Sequence, residues 1–249
     1  MIAIVGGSGV YDPEMLQDTQ DITTETEYGA VTVKSGVYEQ KKVFFLPRHG
    51  EKHSVPPHMI NFRANIKALQ NLKVERIVST SAVGSLRKEM TPGDFVLLDQ
   101  FIDFTKQRNY TFFDDEVVHT DFTNPYCPQL REVIQRAATS AGIALHPHGT
   151  YVCTEGPRFE TPAEIEMFAM MRGDVVGMTN VPEVMLAREA KICYASIAAV
   201  TNFAAGISPT KITHQEVIDI MDRNSEMIKK LISTTIEMIP AERTCECGD

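Results

Sequence analysis

The sequence predicts a single α/β domain in which helices flank a mixed central β-sheet. Short apolar runs recur along the chain and alternate with segments of helical periodicity, which is typical of this fold class. Several runs are apolar on consecutive residues, as expected of strands that are covered on both faces. No repeat, low-complexity tract or flexible linker divides the chain. We therefore predict one domain over residues 1–240 and a polar tail, 241–249, that contains Cys-x-Cys.

The predicted strands are six short runs of apolar and β-branched residues. They cover residues 2–5, 43–46, 76–80, 95–98, 174–178 and 193–201. Helices are predicted where apolar residues recur along one stripe at helical spacing. These segments are 61–72, 130–138 and 214–239. In folds of this class ligands gather at the loops that follow the strands, so we expect the functional residues there.

A fourth helix start is encoded in the stretch "CTEGPRFETPAEI". Thr161 can act as the N-cap, Pro162 fits the first helical position, and Glu164 completes a Thr-x-x-Glu capping box. This assignment leaves Phe159 and Glu160 without a role. A favourable surface charge before a helix is the structural explanation for Glu160.

The composition is that of a soluble globular protein, and it limits the kinds of ligand. Of 249 residues, 43% are hydrophobic and 23% are charged, with a net charge of −9 and a pI near 5.3. This acidic balance argues against a general binder of nucleic acids or anionic membranes. An anionic ligand must then be held by a local group of residues. The start "MIAIVGG" does not read as a signal peptide, and no apolar run approaches a membrane span, so we expect a cytoplasmic protein.

The five cysteines are an odd number, which suits a reducing compartment better than a disulfide framework. Cys127, Cys153 and Cys193 are scattered along the chain. Cys245 and Cys247 lie in the tail "CECGD", where they could form a strained redox pair or half of a metal site. A frayed polar terminus explains the tail equally well.

Three strand ends carry groups that suit an oxyanion. In "GGSG", residues 6–9, small residues let backbone N–H groups approach an anion, and Ser8 adds a hydroxyl. In "PRHG", Arg48 offers a guanidinium fork and His49 a switchable donor. In "STSAVGSL", Ser81 and the next backbone N–H could bind phosphate oxygens. Each loop also has an ordinary explanation: a tight turn, a surface arginine beside a capping histidine, or a hydroxyl-rich turn.

Two further strand ends carry polar residues with less specific signals. "GMTNVPEV" places Thr179 or Asn180 before Pro182, an arrangement that helix capping alone would explain. In "TNFAAGIS", Asn202 follows an apolar strand, a position often taken by a turn former. The histidines that follow "PRHG" lack an H-E-x-x-H pattern and a cysteine partner, so we predict no metal site.

Taken together, these motifs resemble the trimeric purine nucleoside phosphorylase/methylthioadenosine phosphorylase family. The resemblance is carried, in order along nearly the whole chain, by "GGSG", "PRHG", "HMINFRANI", "SAVGSL", "PGDFVLLDQFIDFT", "CTEGPRFETPAE", "VVGMTNVPEVMLAREAKICYASIAAVTN" and "THQEV". It implies phosphorolysis, in which inorganic phosphate displaces a purine base from C1′ of a nucleoside. It also implies no cofactor beyond phosphate as co-substrate and no nucleic-acid or membrane partner. The implied assembly is a homotrimer or a dimer of trimers.

The resemblance assigns roles position by position. The implied phosphate ligands are Ser8, Arg48, His49, Ser81, Ala82 through its backbone, and Thr179. At the purine, the implied residues are Phe159, Glu160 and Asn202, with Asn202 directed towards N7 and the 6-substituent and Ala204 beyond it. At the sugar, they are Met178 and, at the 5′ group, His214. His119 resembles a substrate-binding residue that is contributed across a subunit boundary. We assign the catalytic roles to Asn202 and His49.

The side chains expected at the base favour 6-oxopurine nucleosides. A carboxylate only accepts hydrogen bonds, so Glu160 suits the N1–H of hypoxanthine or guanine and opposes the N1 lone pair of adenine. We expect the neighbouring helix N-terminus to help keep Glu160 ionised. Asn202 can donate to O6 or N7, where adenine-preferring relatives place an aspartate. The sequence therefore favours inosine and guanosine as substrates.

The 5′ end of the sugar leaves alternatives open. His214 fits the pattern of members that bind a 5′-hydroxyl, although Thr213 and Glu216 form a capping box that would also place His214 in an exposed first turn. Methylthio-specific members have an apolar residue there, yet "VPEVMLARE" and "DQFIDFT" look closer to the methylthionucleoside branch. S-methyl-5′-thioinosine phosphorylase is the first alternative and S-methyl-5′-thioadenosine phosphorylase the second.

Two other classes of protein fit the composition and the fold class. A non-catalytic nucleoside-binding regulatory protein would keep the fold, but here every implied phosphate position carries a competent side chain. A dinucleotide-dependent oxidoreductase would need G-x-G-x-x-G with an acidic residue about 20 positions on, and "GGSGVYD" lacks that spacing.

Overall fold

A computed structural model describes residues 1–7, 15–50, 54–208 and 210–248, and within them the chain forms a mixed sheet flanked by helices. The strands are β1 (Ile2–Gly6), β2 (Gln17–Thr24), β3 (Val31–Tyr38), β4 (Lys41–Pro47), β5 (Arg76–Ser85), β6 (Phe95–Leu97), β7 (Gln100–Phe104), β8 (Leu145–His146), β9 (Thr150–Thr154), β10 (Val175–Gly177) and β11 (Cys193–Phe203). The helices are α1 (Phe62–Asn71), α2 (Pro128–Ala141), α3 (Pro162–Met170), α4 (Asn180–Glu189) and α5 (His214–Met238).

The sheet is organised around β5. One path of neighbouring strands runs β2-β3-β4-β1-β5-β10-β9-β7, and β11 pairs with the full length of β5 on a branch that continues through β6 to β8. Strands β1, β4, β5 and β11 are parallel, so their carboxyl ends meet at one edge. Antiparallel pairs are formed by β10 with β5, by β11 with β6, and by β3 with both β2 and β4. The sheet is therefore mixed.

Both faces of the central strands are buried, as their uninterrupted apolar runs predict. In β1, Ala3 and Val5 pack into the core that lies under α1 and α4, whereas Ile2 and Ile4 pack into the core under α2 and α5. This alternation places every side chain of the strand away from water. A third, smaller core lies under α3 and includes Phe168.

Strand β11 contains one irregularity next to its carboxyl end. Its register against β5 runs evenly from Cys193 to Val200 and then skips one residue, so that Asn202 pairs with Gly84. The extra residue is Thr201. Such a bulge bends a strand locally and re-aims the side chains around it.

All six predicted strands and all the predicted helices are present, so the α/β fold with a mixed sheet is confirmed. The capping box at α3 is confirmed in full, with Thr161 and Glu164 exchanging both hydrogen bonds. Strands β2, β3, β7, β8 and β9 were not predicted. The exposed, polar residues of β2 carry no apolar alternation.

The carboxyl-terminal tail packs against the body of the protein. Within the described residues it contains a short 3-10 helix, Glu246–Gly248, and Cys247 is buried. The interpretation of the tail as a frayed terminus is therefore wrong. No helix in the described ranges combines the length and apolar character that crossing a bilayer requires.

Candidate active site

A cavity of about 760 Å³ opens at the carboxyl ends of the parallel strands. Its wall includes most of the residues to which the sequence analysis assigned a role. These are Arg48, His49, Ser81, Ala82, Phe159, Glu160, Met178, Thr179, Asn202, Ala204 and His214. Residues that lie more than 100 positions apart in the chain thus meet in one site.

Arg48 follows β4 and is almost completely buried. Its Nε donates to Glu183 Oε2 at 2.6 Å and its Nη2 donates to Glu183 Oε1 at 2.7 Å, which forms a bidentate pair. Nη2 also donates to Ser79 Oγ at 2.7 Å, and Nη1 donates to the carbonyl of Thr80 at 3.0 Å. Since a guanidinium has five N–H donors, one N–H on Nη1 has no partner among the described residues. The ordinary alternative of a surface arginine is wrong.

Glu183 is the main residue of the site that the sequence analysis missed. It lies in α4, is fully buried, and accepts hydrogen bonds from Ser79 Oγ at 3.0 Å and Tyr194 Oη at 2.8 Å besides those from Arg48. Burial disfavours the charge of Arg48, but the contact with the Glu183 carboxylate outweighs it and raises the pKa of Arg48 above its usual value. The pair therefore presents an oriented N–H to the cavity with its charge already compensated.

A backbone contact defines which nitrogen of the His49 ring carries a proton. Its Nδ1 lies 2.8 Å from the carbonyl oxygen of Val55. Because a carbonyl only accepts, Nδ1 carries the proton. In the neutral ring Nε2 is therefore the acceptor nitrogen.

Two hydroxyl groups in β5 are buried without a hydrogen-bond partner among the described residues. They are the Oγ1 atom of Thr80 and the Oγ atom of Ser81, and both residues line the cavity. Buried polar atoms are nearly always satisfied in folded proteins, so unpaired hydroxyls at a cavity wall indicate a polar ligand. Ala82 follows on the same strand.

Thr179 and Asn180, which the sequence could not separate from helix capping, have different roles. Thr179 precedes α4 but makes no side-chain capping hydrogen bond, and it lines the cavity. Asn180 is fully buried away from the cavity wall, where it accepts from Tyr126 Oη at 2.6 Å and donates to Ser196 Oγ at 2.9 Å. Capping therefore does not account for Thr179.

The neighbouring groups allow only one orientation of the Asn202 side-chain amide. Its Nδ2 donates to the carbonyl of Phe203 at 2.9 Å, and its Oδ1 lies 3.0 Å from the hydroxyl of Thr201. Turning the amide over would place Oδ1 against the Phe203 carbonyl, so the nitrogen position is fixed. The second N–H of Nδ2 has no partner among the described residues. Gly84 leaves room for it, since a Cβ there would lie 3.2 Å from Nδ2.

Glu160 is half-buried at the cavity wall, with its Oε1 accepting from Thr154 Oγ1 at 2.7 Å. Burial raises the pKa of this carboxyl above its usual range. Loss of hydration is the largest cause of this shift, and the help of the helix N-terminus at α3 in keeping Glu160 ionised stays a prediction. The neighbouring Phe159 ring is 40% exposed.

The far end of the cavity is bounded by the first turns of α5. His214, the first residue of this helix, lines the cavity and is exposed. Ile212, Val217, Ile218 and Met221 form the wall around it. Apart from the His214 imidazole and the Asp222 carboxylate, this end of the cavity is apolar.

Two predicted site residues are not part of this arrangement. Ser8 lies outside the described residues. His119 is exposed in the loop between β7 and α2 and does not line the cavity. Its contribution across a subunit boundary stays a prediction.

Comparison with known proteins decides the family. The sequence-family model that describes the phosphorylase superfamily matches residues 1–237 of the chain. The chain belongs to the phosphorylase superfamily. With this membership, the prediction of an enzyme rather than a non-catalytic binding protein is confirmed.

Similar phosphorylases are related over nearly their full length. The chain is 58% identical to the probable 6-oxopurine nucleoside phosphorylase of Dictyoglomus turgidum, covering 99% of this chain and 94% of the relative. It is 56% identical to the 6-oxopurine nucleoside phosphorylase of Pyrococcus furiosus, covering 100% and 96%. It is 48% identical to the S-methyl-5′-thioadenosine phosphorylase of Thermofilum pendens, covering 99% and 95%.

Solved phosphorylase structures have the same fold. A methylthioadenosine phosphorylase from an antarctic soil metagenomic library superposes with a TM-score of 0.93 at 40% identity, covering 99% of this chain and 89% of that one. The methylthioadenosine phosphorylase of Schistosoma mansoni in complex with adenine superposes with a TM-score of 0.93 at 33% identity, covering 97% and 92%.

Proposed function

We propose that this phosphorylase is a pentosyltransferase that cleaves 6-oxopurine nucleosides, inosine and guanosine, with inorganic phosphate, giving the free base and ribose 1-phosphate. The observation that carries the proposal is the orientation of the Asn202 amide, which offers an N–H donor in the cavity that Glu160 also lines.

The donor and acceptor pattern matches a 6-oxopurine. Such a base presents N1–H as a donor and O6 and N7 as acceptors, whereas adenine presents N1 as an acceptor and an amino group as a donor. Ionised Glu160 accepts from N1–H, and the Asn202 N–H donates to N7 or O6. With adenine, Glu160 would oppose the N1 lone pair, and an Asn202 N–H directed at position 6 would oppose the amino group, whereas N7 accepts in both bases. Mismatched buried polar groups can cost several orders of magnitude in specificity.

The other end of the cavity suits the phosphate. The remaining N–H of Arg48 and the hydroxyls of Ser81 and Thr179 can donate to its oxygens, and His49 and the backbone of Ala82 line the same cavity. A phosphate held under the sugar stabilises the positive charge that develops at C1′ and converts a bimolecular encounter into a positioned attack. Asn202 relieves the negative charge that grows on the leaving base. Phosphate is the co-substrate, and the proposal includes no other cofactor.

The remaining residues of the cavity wall indicate where the ribose binds. Met178 lies beside Gly156, whose substitution would bring a Cβ to 2.6 Å from the Met178 sulfur, and we place this thioether against the ribose. We place His214, which lines the same cavity, at the 5′-hydroxyl. The apolar side chains of α5 around it favour a second candidate, phosphorolysis of 5′-methylthioinosine, because they could contact a methylthio group.

We also infer a homotrimer in which His119 completes the site of a neighbouring subunit. Val117, at 85% exposure, and the exposed Val118 precede His119 in the same loop. Apolar side chains in this position would be buried by a second copy of the chain.

A parallel measurement of kcat/KM tests the substrate assignment. Inosine, guanosine, adenosine, 5′-methylthioinosine and 5′-methylthioadenosine are compared at saturating phosphate. We expect release of hypoxanthine and guanine to exceed release of adenine by at least about 100-fold. Adenosine cleaved as efficiently as inosine would overturn the base assignment. A preference for 5′-methylthioinosine over inosine would select the second candidate.

A further inference from the structure

Four of the five cysteines meet at one point near the amino end of β11, whereas the cavity lies at the carboxyl end of this strand. We call this group the four-cysteine cluster; its members are Cys127, Cys193, Cys245 and Cys247. All four sulfur atoms lie within 4.8 Å of one another, and none is in a disulfide. Three of the four residues are buried. From the sequence, the histidine pattern predicted no metal site, and Cys245 and Cys247 were left open as a strained redox pair or half of a metal site.

Three separate parts of the fold deliver the four sulfurs. Cys127 is the N-cap of α2, and its Sγ accepts from Leu130 N at 3.4 Å. Cys193 is the first residue of β11, fixed by its N–H donating to the carbonyl of Glu75 at 3.0 Å. The other two sulfurs come from the tail, on either side of Glu246.

The tail is held over the cluster by hydrogen bonds to the body. Gln129 donates to the carbonyl of Glu242 at 3.2 Å and accepts from Thr244 N at 3.2 Å. The Arg243 guanidinium reaches the carbonyl of Lys191 at 3.4 Å. The tail cysteines are therefore presented to Cys127 and Cys193 by a defined chain path.

The spacing of the sulfurs fits a tetrahedral metal ion better than it fits disulfides. A zinc ion with bonds of about 2.3 Å to four thiolates places every pair of sulfurs about 3.8 Å apart. The four-cysteine cluster is compact in all of its pairs, and the contact between Cys193 and Cys245 measures 3.3 Å. Two disulfides would need only two close pairs, each with sulfurs about 2.05 Å apart.

The surroundings suit the negative charge of such a centre. Four thiolates around Zn²⁺ leave a double negative charge. The tail that carries Cys245 and Cys247 also carries the Arg243 cation, and the N–H of Leu130 in the first turn of α2 donates to Cys127 Sγ at 3.4 Å. Hydrogen bonds and cations of this kind orient and stabilise the ligands of a metal site.

We propose that the four-cysteine cluster binds one Zn²⁺ ion in a closed, structural site. Binding deprotonates the thiols, releases those protons to the solvent, and involves no oxidation or reduction. The ion joins the carboxyl-terminal tail to α2 and β11. Because four protein ligands fill a tetrahedral site, the ion has no open position for substrate and plays no part in phosphorolysis.

Metal analysis of the full-length chain tests the proposal without using activity. The protein is expressed in zinc-supplemented medium, purified under reducing conditions, and its zinc and iron are measured by plasma mass spectrometry. We expect about one zinc per chain. Exchange with Co²⁺ should give thiolate-to-cobalt charge transfer and the visible bands of tetrahedral cobalt.

A double variant and a matched control locate the metal. Cys245→Ser with Cys247→Ser should reduce zinc to background and abolish the tetrahedral cobalt spectrum. Cys153→Ser, at the remaining cysteine, should retain about one zinc per chain. Removing zinc from the wild type with a chelator should lower its thermal midpoint, with a smaller shift in the double variant.

Three results would overturn the proposal. Wild-type protein that stays metal-free in zinc and has four reactive thiols would exclude the site. An intact mass lower by four hydrogens after reducing purification would show two disulfides instead. Stoichiometric iron without zinc would show that zinc is not the metal that this site binds. None of these readouts depends on the substrate, so the proposal stands or falls separately from the proposed function.

Discussion

Replacing Glu183 with glutamine tests whether Arg48 depends on a buried carboxylate partner. The substitution keeps the size of the side chain and removes its charge. In either orientation the new amide nitrogen would lie 2.6–2.7 Å from a donor nitrogen of the Arg48 guanidinium. Two hydrogen-bond donors would then oppose each other. Ser79 and Tyr194 can rotate their hydroxyls, but the guanidinium cannot become an acceptor.

The expected loss follows from the burial of the pair. The side chains of Arg48 and Glu183 are 2% and 1% exposed, so the remaining cation is left without compensation in the interior. Removing one partner of such a pair costs about 3–5 kcal/mol. We therefore expect Glu183→Gln to lower the free energy of unfolding by that amount. The KM for phosphate should rise, because Arg48 loses the contacts that orient its remaining N–H.

A pair with an exposed carboxylate provides the matched control. Arg63 forms a bidentate pair with Asp114 at 2.6 and 2.8 Å, but the Asp114 side chain is 56% exposed. Asp114→Asn makes the same chemical change and should cost less than about 1 kcal/mol. Urea unfolding of both variants and the wild type at one protein concentration measures the difference. If Glu183→Gln loses no more stability than Asp114→Asn, the dependence of Arg48 on its partner is refuted.

Three further predictions concern the two ends of the cavity. As pH falls through the raised pKa of Glu160, the carboxyl stops accepting from N1–H and begins to donate, so kcat/KM for inosine relative to adenosine should fall by up to about tenfold per pH unit. Glu160→Gln should flatten this ratio, and a wild-type ratio independent of pH would contradict the base contact. Asn202→Asp should shift preference towards adenosine by at least about tenfold in kcat/KM, and unchanged preference would contradict the donor role. His214→Val should reduce kcat/KM for inosine about 3- to 10-fold, the effect of one hydrogen bond, while 5′-methylthioinosine is spared. Equal losses on both substrates would remove His214 from the 5′ subsite.

The sequence predicted the strands that position the site because their signal is local. Uninterrupted apolar runs identify β1, β4, β5 and β11, and the polar residues that follow them identify the edge where ligands gather. Arg48 and Asn202 were found in this way, each directly at or after a buried strand.

What the sequence could not supply are partners that depend on the fold. Arg48 and Glu183 are 135 residues apart, and a glutamate inside "NVPEVMLARE" reads as an ordinary helix residue until the strand ends are brought together. Its apolar neighbours on both sides are the one signal of burial. The raised pKa of Glu160 could not be predicted for the same reason, because it arises from burial that only the fold produces.

The bulge at Thr201 has a consequence for how this chain can tolerate insertions and deletions. Successive side chains of β11 alternate between the two cores, with Ala198 and Val200 in one and Ile197 and Ala199 in the other. Deleting one residue here would leave a regular ladder with every backbone group paired, yet would turn the Asn202 amide towards the opposite layer. Length variation should therefore be absent from this strand and accumulate in the loops beyond Phe203, where a changed residue count alters no alternation.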